Sequence, residues 1–441
     1  MKIDISAIPV LQPPNLQPPN LQPPNLQPPN LQPPNLQPPN LQPPTENESP
    51  FQAYLNLGNY YRHLIEEGEA SEENLAIAIQ SYEQALQFLE YGSPQVSDIL
   101  NDLGNLYWML SRCLGSLEHS FSYLEQAIQA YQLALTKLTA EESPHSYAMI
   151  QNNLGAAYGD LARHQEPAES LQQSIRAYEE ALRYRRADSE PIKYASTQNN
   201  LGTAHWNLGQ HQAPIENLRA AIAAYAEALS YYDKKSDPMS WAMIQNNLGT
   251  AYWNLAQYEH PETWLQLAIV AYQDALKYRT SEAAPAACAA CHNNLGTAYW
   301  HLADRFPDVP ERRVEYLSQC ISAYEKAINL AQQLAQNTPS APVNFDVFST
   351  HNNLGLAHYQ LATETRLPLS QESKLVHLEA ALHQHLQACK GVAAQSDSYQ
   401  TALSYIVKTI RTFYREGGIS GQNLALSKVP GHLLPEILPR L

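Results

Sequence analysis

The sequence predicts an all-α, right-handed solenoid of seven helix pairs with a capping helix and a disordered, proline-rich N-terminal leader. A glycine within related strings such as QNNLGTAYWNLAQ recurs at intervals of 46, 51, 47, 47, 47 and 59 residues. These glycines are Gly58, Gly104, Gly155, Gly202, Gly249, Gly296 and Gly355. Small residues and tyrosines recur between them at helical spacing, as in LAIVAYQDAL. Periods of this length indicate stacked units that cannot bury their apolar faces alone.

Each repeat is expected to contain two helices. The first begins at a proline eleven residues before the glycine, at Pro144, Pro191, Pro238 and Pro285. Proline suits the first helical turn, and Ser143 or Asp237 in front of it can cap free amides. The seven units therefore span residues 51–395. A capping helix follows at 396–417, and residues 418–441 form a C-terminal tail.

The leader, residues 1–50, is built from tandem LQPPN repeats. Six copies occupy residues 11–40, and LQPPT follows at 41–45. Proline lacks an amide donor and fixes one backbone angle, so the segment is expected to be a disordered spacer. The alternative is a ligand for proline-recognising domains. The PxxP spacing those domains prefer is absent from the repeats.

Composition restricts the classes of partner and compartment. Formal charge is −16 and charged residues make up 16% of the chain, without a basic cluster, so nucleic-acid binding is not expected. No apolar run is long enough to span a membrane. The five cysteines are scattered and the N-terminus lacks the pattern of a secretory signal. A cytoplasmic location is therefore expected.

The repeats resemble the tetratricopeptide repeat (TPR). That family's pattern is a Leu-Gly pair with an aromatic residue three positions later, then Ala, an aromatic residue and Ala in the second helix. The matching residues are Leu248, Gly249, Tyr252, Ala268, Tyr272 and Ala275, and also Leu201, Gly202, Ala221, Tyr225 and Ala228. The NNLG string and the 47-residue unit, longer than the usual 34, look most like the kinesin-light-chain-like group and its bacterial relatives. The resemblance implies a non-catalytic protein-interaction scaffold whose first helices line a concave wall.

Polar amides and indoles recur on the face of each first helix that lies away from the core. At 100° per residue, Ile244, Leu248 and Leu255 form a buried stripe. The recurring Asn and Trp residues lie between about 140° and 260° from Leu248. The candidate peptide-binding residues are Asn152, Asn199, Asn246, Asn293, Asn352, Asn200, Asn247, Asn294, Trp108, Trp206, Trp253 and Trp300. Amides can bond an extended peptide backbone, and tryptophan is frequent at binding hot spots.

Other uses of these residues stay open. The asparagines could tie adjacent first helices together, with the tryptophans packing between neighbouring units. At the level of function, the alternatives are a structural scaffold that self-associates through its convex surface, or a signalling regulator inhibited by its own leader. Homo-oligomerisation is compatible with each, and the partner in the main hypothesis is a protein or peptide.

The motif CAACH, Cys288 to His292, matches a c-type haem attachment sequence. Repeat alignment places Cys288 and Cys291 where other units have Trp241 and Ile244, so two buried thiols are the favoured interpretation. The sequence contains no phosphate loop, HExxH helix or nucleophile elbow. An enzyme, a cofactor and a metal site are therefore not expected.

Overall fold

The structure is a computed structural model that describes residues 49–89, 93, 95–113, 117–337, 343–391, 393 and 396–441. The predicted LQPPN leader falls outside the described residues. The first helices of the seven pairs are α1 (Pro50–Glu66), α3 (Gln95–Cys113), α5 (Pro144–Leu161), α7 (Pro191–Leu208), α9 (Pro238–Leu255), α11 (Pro285–Ala303) and α13 (Val347–Ala362). The second helices are α2 (Glu72–Leu86), α4 (Leu117–Leu135), α6 (Pro167–Tyr184), α8 (Pro214–Leu229), α10 (Pro261–Leu276), α12 (Pro310–Asn337) and α14 (Gln371–Ala388). Each helix packs against the next in the chain, which gives the predicted solenoid of repeats.

Prolines begin the first helices of the four central units, as predicted. Helices α5, α7, α9 and α11 start at Pro144, Pro191, Pro238 and Pro285. Asp237 caps α9, because its side chain accepts a 3.1 Å hydrogen bond from the backbone N–H of Ser240. The Ser143 side chain makes no such bond, so the expectation that it caps α5 is wrong. Asp237 has almost the same backbone angles, φ −137° and ψ 67° against −138° and 61° for Ser143, so the difference in capping lies in the side chain and not in the backbone.

The second helices of three units follow a residue with left-handed backbone. Glu166, Ala213 and His260 have φ of 43°, 43° and 40°, and each directly precedes the proline that begins α6, α8 or α10. None of the three is a glycine or asparagine, the residues that adopt this conformation most readily. The turn between the two helices of these units therefore requires a backbone conformation that the residue at this position does not favour.

The recurrent glycine is the contact point between the two helices of a unit. A Cβ atom added at Gly249 would lie 2.8 Å from the Tyr272 ring, and one at Gly104 would lie 2.5 Å from Tyr131. Gly58, Gly155, Gly202 and Gly296 meet a tyrosine of their second helix in the same way. In the seventh unit, His385 takes the tyrosine's place against Gly355. These rings are buried, so in each unit one aromatic ring packs directly against the backbone of the glycine and holds the two helices together.

The C-terminal region closes the last unit. Helix α15 (Asp397–Ser427) is broken at Gly418, where φ is 60°, and the short helix α16 (Leu434–Ile437) follows. Its core includes Phe413 and Ile437, both with no exposed surface. The Tyr399 hydroxyl donates to Glu436 Oε1 at 3.0 Å. Residues beyond 417, predicted to be a tail, therefore pack back against the capping helix.

Both thiols of the CAACH motif are buried, with Cys288 5% and Cys291 0% exposed. This placement confirms the prediction that they occupy core positions of a first helix. Among the residues that the structure describes, no group of three or more His, Cys, Asp or Glu side chains is arranged to hold a metal ion. None of the described helices is long and apolar enough to cross a membrane.

Candidate functional site

The paired asparagines form a ladder that joins the first helices of successive units. The second asparagine of one unit donates through Nδ2 to Oδ1 of the first asparagine in the unit before it. The bonds run from Asn153 to Asn101 at 3.2 Å, Asn200 to Asn152 at 3.4 Å, Asn247 to Asn199 at 3.2 Å and Asn294 to Asn246 at 3.3 Å. We call this set of residues the amide ladder. It provides the structural use of the asparagines that the sequence left open.

In the central units, the bonds between units use the side-chain oxygen of the first asparagine and leave its side-chain nitrogen unused. Oδ1 of Asn199 and Asn246 accepts from the following unit, and Oδ1 of Asn293 accepts a 2.8 Å bond from Thr350. Nδ2 of these three residues has no acceptor within the described part of the chain. None of the three nitrogens is among the described polar atoms that are both fully buried and unpartnered. The side chains of Asn246 and Asn293 are half-buried and that of Asn199 is 9% exposed, so none of the three donors is fully enclosed.

The end residues of the predicted site differ from the central ones. Asn152 Nδ2 lies 3.4 Å from Asn153 Oδ1 in its own helix. Oδ1 of Asn352 lies 2.8 Å from Nδ1 of the buried His385. Among the described residues, a first asparagine whose oxygen is bonded to the next unit and whose nitrogen has no acceptor therefore occurs in the fourth, fifth and sixth units.

The four predicted tryptophans are partly buried, and each lies where the first helices of two successive units meet, a place that we call a seam. The indole nitrogen of Trp108 donates to Asp160 at 2.9 Å, and that of Trp300 donates to Gln360 at 3.2 Å. In each case the acceptor stands five residues after the recurrent glycine of the next unit. These indoles therefore fasten one unit to the following one.

Trp206 and Trp253 occupy equivalent seams. Their Nε1 atoms are buried, and the described residues offer neither of them a hydrogen-bond acceptor. Trp253 packs edge-on against His301 at 5.4 Å between ring centroids. Both indoles also contact the apolar core of their units. Most of their surface serves packing between units, which is the alternative to ligand contact that the sequence allowed.

An apolar rim borders the amide ladder, and sequence reasoning missed it. Met149, Ile192 and Met239 are 37%, 52% and 38% exposed. Met239 and Met243 precede Asn246 by seven and three residues, a spacing that puts them on one face of α9. The helical angles used to find the asparagines could also have found these residues. The rim residues differ in type from unit to unit, whereas the asparagines are the same residue in every central unit.

Two arginines reach the ladder from the ends of second helices, and the sequence did not suggest them. Arg185, 8% exposed, donates to Thr197 Oγ1 at 2.6 Å, and Thr197 donates to Asn152 Oδ1 at 3.2 Å. Burial lowers the pKa of Arg185. Arg279 lies 3.7 Å from Cys291 Sγ, and this thiol is 3.2 Å from Asn246 Oδ1. A guanidinium group is therefore linked through one side chain to the ladder oxygen of Asn152, between the third and fourth units, and to that of Asn246, between the fifth and sixth.

A family model matches one part of the chain. Residues 195–234, which cover most of α7 and all of α8, match the family model described as tetratricopeptide repeat. No curated protein matches the sequence.

Several solved structures are similar to the chain. BtubC (BKLC) from P. vanneervenii is 17% identical, with 69% of this chain and 99% of that chain covered and a TM-score of 0.37. A signal transduction ATPase with numerous domains (STAND) and a tetratricopeptide repeat sensor, from Pyrococcus horikoshii, is 16% identical with a TM-score of 0.43. The match covers 90% of this chain and 55% of that protein. The S. pombe nuclear import adaptor Nro1 is 14% identical, with 81% and 98% of the two chains covered and a TM-score of 0.27.

Proposed function

We propose that this tetratricopeptide-repeat protein is a non-catalytic scaffold that holds an extended segment of a protein partner along its amide ladder. The observation that carries the proposal is that Nδ2 of Asn199, Asn246 and Asn293, in consecutive units, has no acceptor among the described residues and is not fully enclosed. Each side-chain oxygen is satisfied by the next unit, and that bond fixes the orientation of the amide. Three donors are thus held in place before a partner arrives, which reduces the entropy lost on binding.

The chemistry of these donors favours a peptide backbone as the ligand. Peptide carbonyl groups are strong acceptors and occur at every residue whatever the sequence. An extended segment presents them at regular intervals, whereas a helix uses nearly all of its own. The exposed side chains of Met149 and Met239 add flexible apolar surface beside the donors, and Ile192 adds a stiffer apolar side chain. The partner segment should therefore be extended, with some apolar side chains.

The test distinguishes the role of the asparagine nitrogen, which would bind the peptide, from that of the oxygen, which bonds the next unit. Short random peptides displayed on phage are selected against the full chain, and their affinities are measured by calorimetry. In the variant Asn246→Asp with Asn293→Asp, an acceptor oxygen remains for the neighbouring unit, but both donors are lost. We expect binding of the selected peptides to weaken roughly tenfold or more, since a net hydrogen bond contributes about 0.5–1.5 kcal/mol.

The matched control acts on the ladder and spares the donors. Asn247→Ala with Asn294→Ala removes two ladder bonds while Asn246 and Asn293 keep their Nδ2 groups. This control should lose thermal stability and weaken peptide binding much less than the Asp variant does, because it keeps the donors and removes only the bonds that orient Asn199 and Asn246. Undiminished binding by a folded Asp variant would refute the assignment.

Two further experiments test the alternatives. Deletion of residues 1–45 should leave peptide affinity unchanged, whereas a rise in affinity would indicate that the leader inhibits the site. Light scattering of the full chain over a concentration series reports self-association. A stable oligomer that forms equally well with the Asp variant would favour a structural scaffold.

A further inference from the structure

The seventh unit departs from the glycine–tyrosine contact of the other six. Its second helix places His385 against Gly355, and this side chain has no exposed surface. His385 Nδ1 bonds Asn352 Oδ1 at 2.8 Å, while Nε2 is buried and has no hydrogen-bond partner in the part of the chain that the structure describes. On its other side the imidazole stacks on Tyr405 of α15, with 5.3 Å between ring centroids and an interplanar angle of 13°. A titratable ring therefore lies between the last unit and the helix that closes it.

Three more histidines of the seventh unit are His351 and His358 on α13 and His377 on α14, while the stacking on α15 described above is made by His385. His358 and His377 face each other with their Nδ1 atoms 2.9 Å apart, and His351 Nδ1 is 2.6 Å from Gln384 Oε1. His351 and His358 are 7% and 5% exposed. We call His351, His358, His377 and His385 the histidine cluster. The distance between the Nδ1 atoms of His358 and His377 requires that at least one of the two nitrogens lacks a proton.

The charged groups around the cluster offer little to balance added protons. From α12, Glu325 Oε1 is 4.0 Å from His358 Nε2, but the Glu325 side chain is 53% exposed and therefore screened. From α15, Lys408 Nζ lies 4.3 Å from the centre of the Tyr405 ring. His383 within α14 and Lys390 just after this helix add positive potential at His351. Among the described residues, the carboxylate found next to the histidine cluster is thus the exposed Glu325, whereas His383 and Lys390 add positive potential at His351.

We propose that the histidine cluster is a pH-sensitive joint, which holds α15 against the seventh unit at neutral pH and releases it on mild acidification. Release opens the stack at its C-terminal end only. The apolar face of α15, which includes Leu403, Ile406 and Phe413, then loses its cover. The joint would let an acidic environment expose an apolar surface while the amide ladder of the central units stays folded.

The sign of the effect follows from burial. Burial lowers the pKa of His385 to about 3 and that of His358 to about 4, and it also lowers the pKa of His351 and His377. In the open state a histidine titrates near 6.5. The stabilisation is therefore complete above pH 6.5 and is lost as the pH falls from there toward 4. At pH 5, one such histidine shifts the equilibrium toward the open state by about 30-fold.

Hydrogen–deuterium exchange of the full chain, read by mass spectrometry at pH 7 and pH 5 with correction for intrinsic rates, tests the joint. We expect peptides from 397–427 and from α14 to lose protection at pH 5 by about 30-fold or more, while α5 to α11 keep theirs. His358→Tyr combined with His385→Tyr restores the residues that other units use at these positions and should abolish the loss. His385→Phe is the second variant, in case the added hydroxyl groups disturb folding.

A histidine at the same repeat position in another unit supplies the control. His205 stands three residues after Gly202, as His358 does after Gly355, and its Nδ1 bonds Asn217 Oδ1 at 3.0 Å. His205→Tyr should leave the pH response of α15 unchanged. Equal protection of α15 at the two pH values, simultaneous loss in all units, or an unaltered response of both cluster variants would each overturn the proposal.

Discussion

The ring that each second helix lays on a glycine is the smallest unit of packing in this protein. Tyr82, Tyr131, Tyr272 and Tyr324 are almost fully buried, and a Cβ atom in place of the facing hydrogen would meet them at 2.5–2.8 Å. Several hydroxyl groups reach across to the residue after the glycine, as Tyr272 does to Thr250 Oγ1 at 3.1 Å. Backbone contact and hydrogen bond together fix how closely the two helices approach.

We therefore expect Gly249→Ala to lower the free energy of unfolding by about 1–3 kcal/mol, as overpacking of a closed core does. The contact is with a ring that is itself enclosed, so neither side can yield easily. Gly159→Ala is the matched control. It is also in a first helix, but its nearest neighbour would be Ser174 Oγ at 3.6 Å. Because alanine favours a helix interior by about 0.5–1 kcal/mol over glycine, this control should stabilise the chain.

The two changes are compared by urea denaturation with circular dichroism and by hydrogen exchange of the affected unit. Equal effects of Gly249→Ala and Gly159→Ala would show that the tyrosine contact does not set the helix separation.

At the scale of the element, the beginning of a helix is encoded differently in the two halves of a unit. First helices begin at a proline preceded by Ser143, Glu190, Asp237 or Ala284, all with φ between −135° and −153°. Three second helices begin at a proline preceded by a residue with positive φ. The same proline signal thus follows two backbone conformations, and only the second one is strained.

Replacement of Ala213 by glycine should relieve that strain. A left-handed conformation costs an L-residue about 1–2 kcal/mol, and glycine avoids this cost while losing more entropy on folding. We expect Ala213→Gly to raise the free energy of unfolding by about 0.5–1 kcal/mol. Ala284→Gly, also directly before a helix-starting proline but at φ −153°, should lower it. Thermal denaturation of both variants measures the difference, and stabilisation by both or by neither would contradict the argument.

The sequence predicted the helix pairs because their signals are local and repeated. Proline at a helix start, glycine at the contact and alternating small and large residues all recur at one period. The strain at Glu166, Ala213 and His260 was not predictable, since these residues share no side-chain chemistry. The partners of the indoles were equally hidden, because Trp108 bonds a residue 52 positions further along the chain. Such contacts depend on how two units stack and not on either unit alone.

The candidate site was predictable to the same extent. Helical angles identified the asparagine face, which follows from sequence spacing alone. They could not say which end of each amide would be used, because that depends on the asparagine one unit later. Arg185 and Arg279 escaped notice for a related reason, since they reach the ladder from another helix.

At the scale of the molecule, stability is close to a sum over neighbouring units. Apart from the amide ladder and the indole seams, each helix packs mainly on the helices before and after it in the chain. A solenoid of this kind needs a cap wherever its last apolar face would otherwise meet water. Helices α15 and α16 provide it at the C-terminal end through Leu403, Ile406, Phe413 and Ile437, all fully buried.

Removal of residues 397–441 should therefore unravel the chain from that end. The seventh unit would expose Leu378 and Leu382, now fully buried, and we expect α13 and α14 to lose hydrogen-exchange protection while α5 to α10 retain it. Removal of residues 428–441 is the graded control, because it takes away Ile437 and leaves Phe413. It should lower the melting temperature by less. Protection that is lost equally in all units after the larger deletion would mean that the solenoid folds as one cooperative block, and that its end units are not independently breakable.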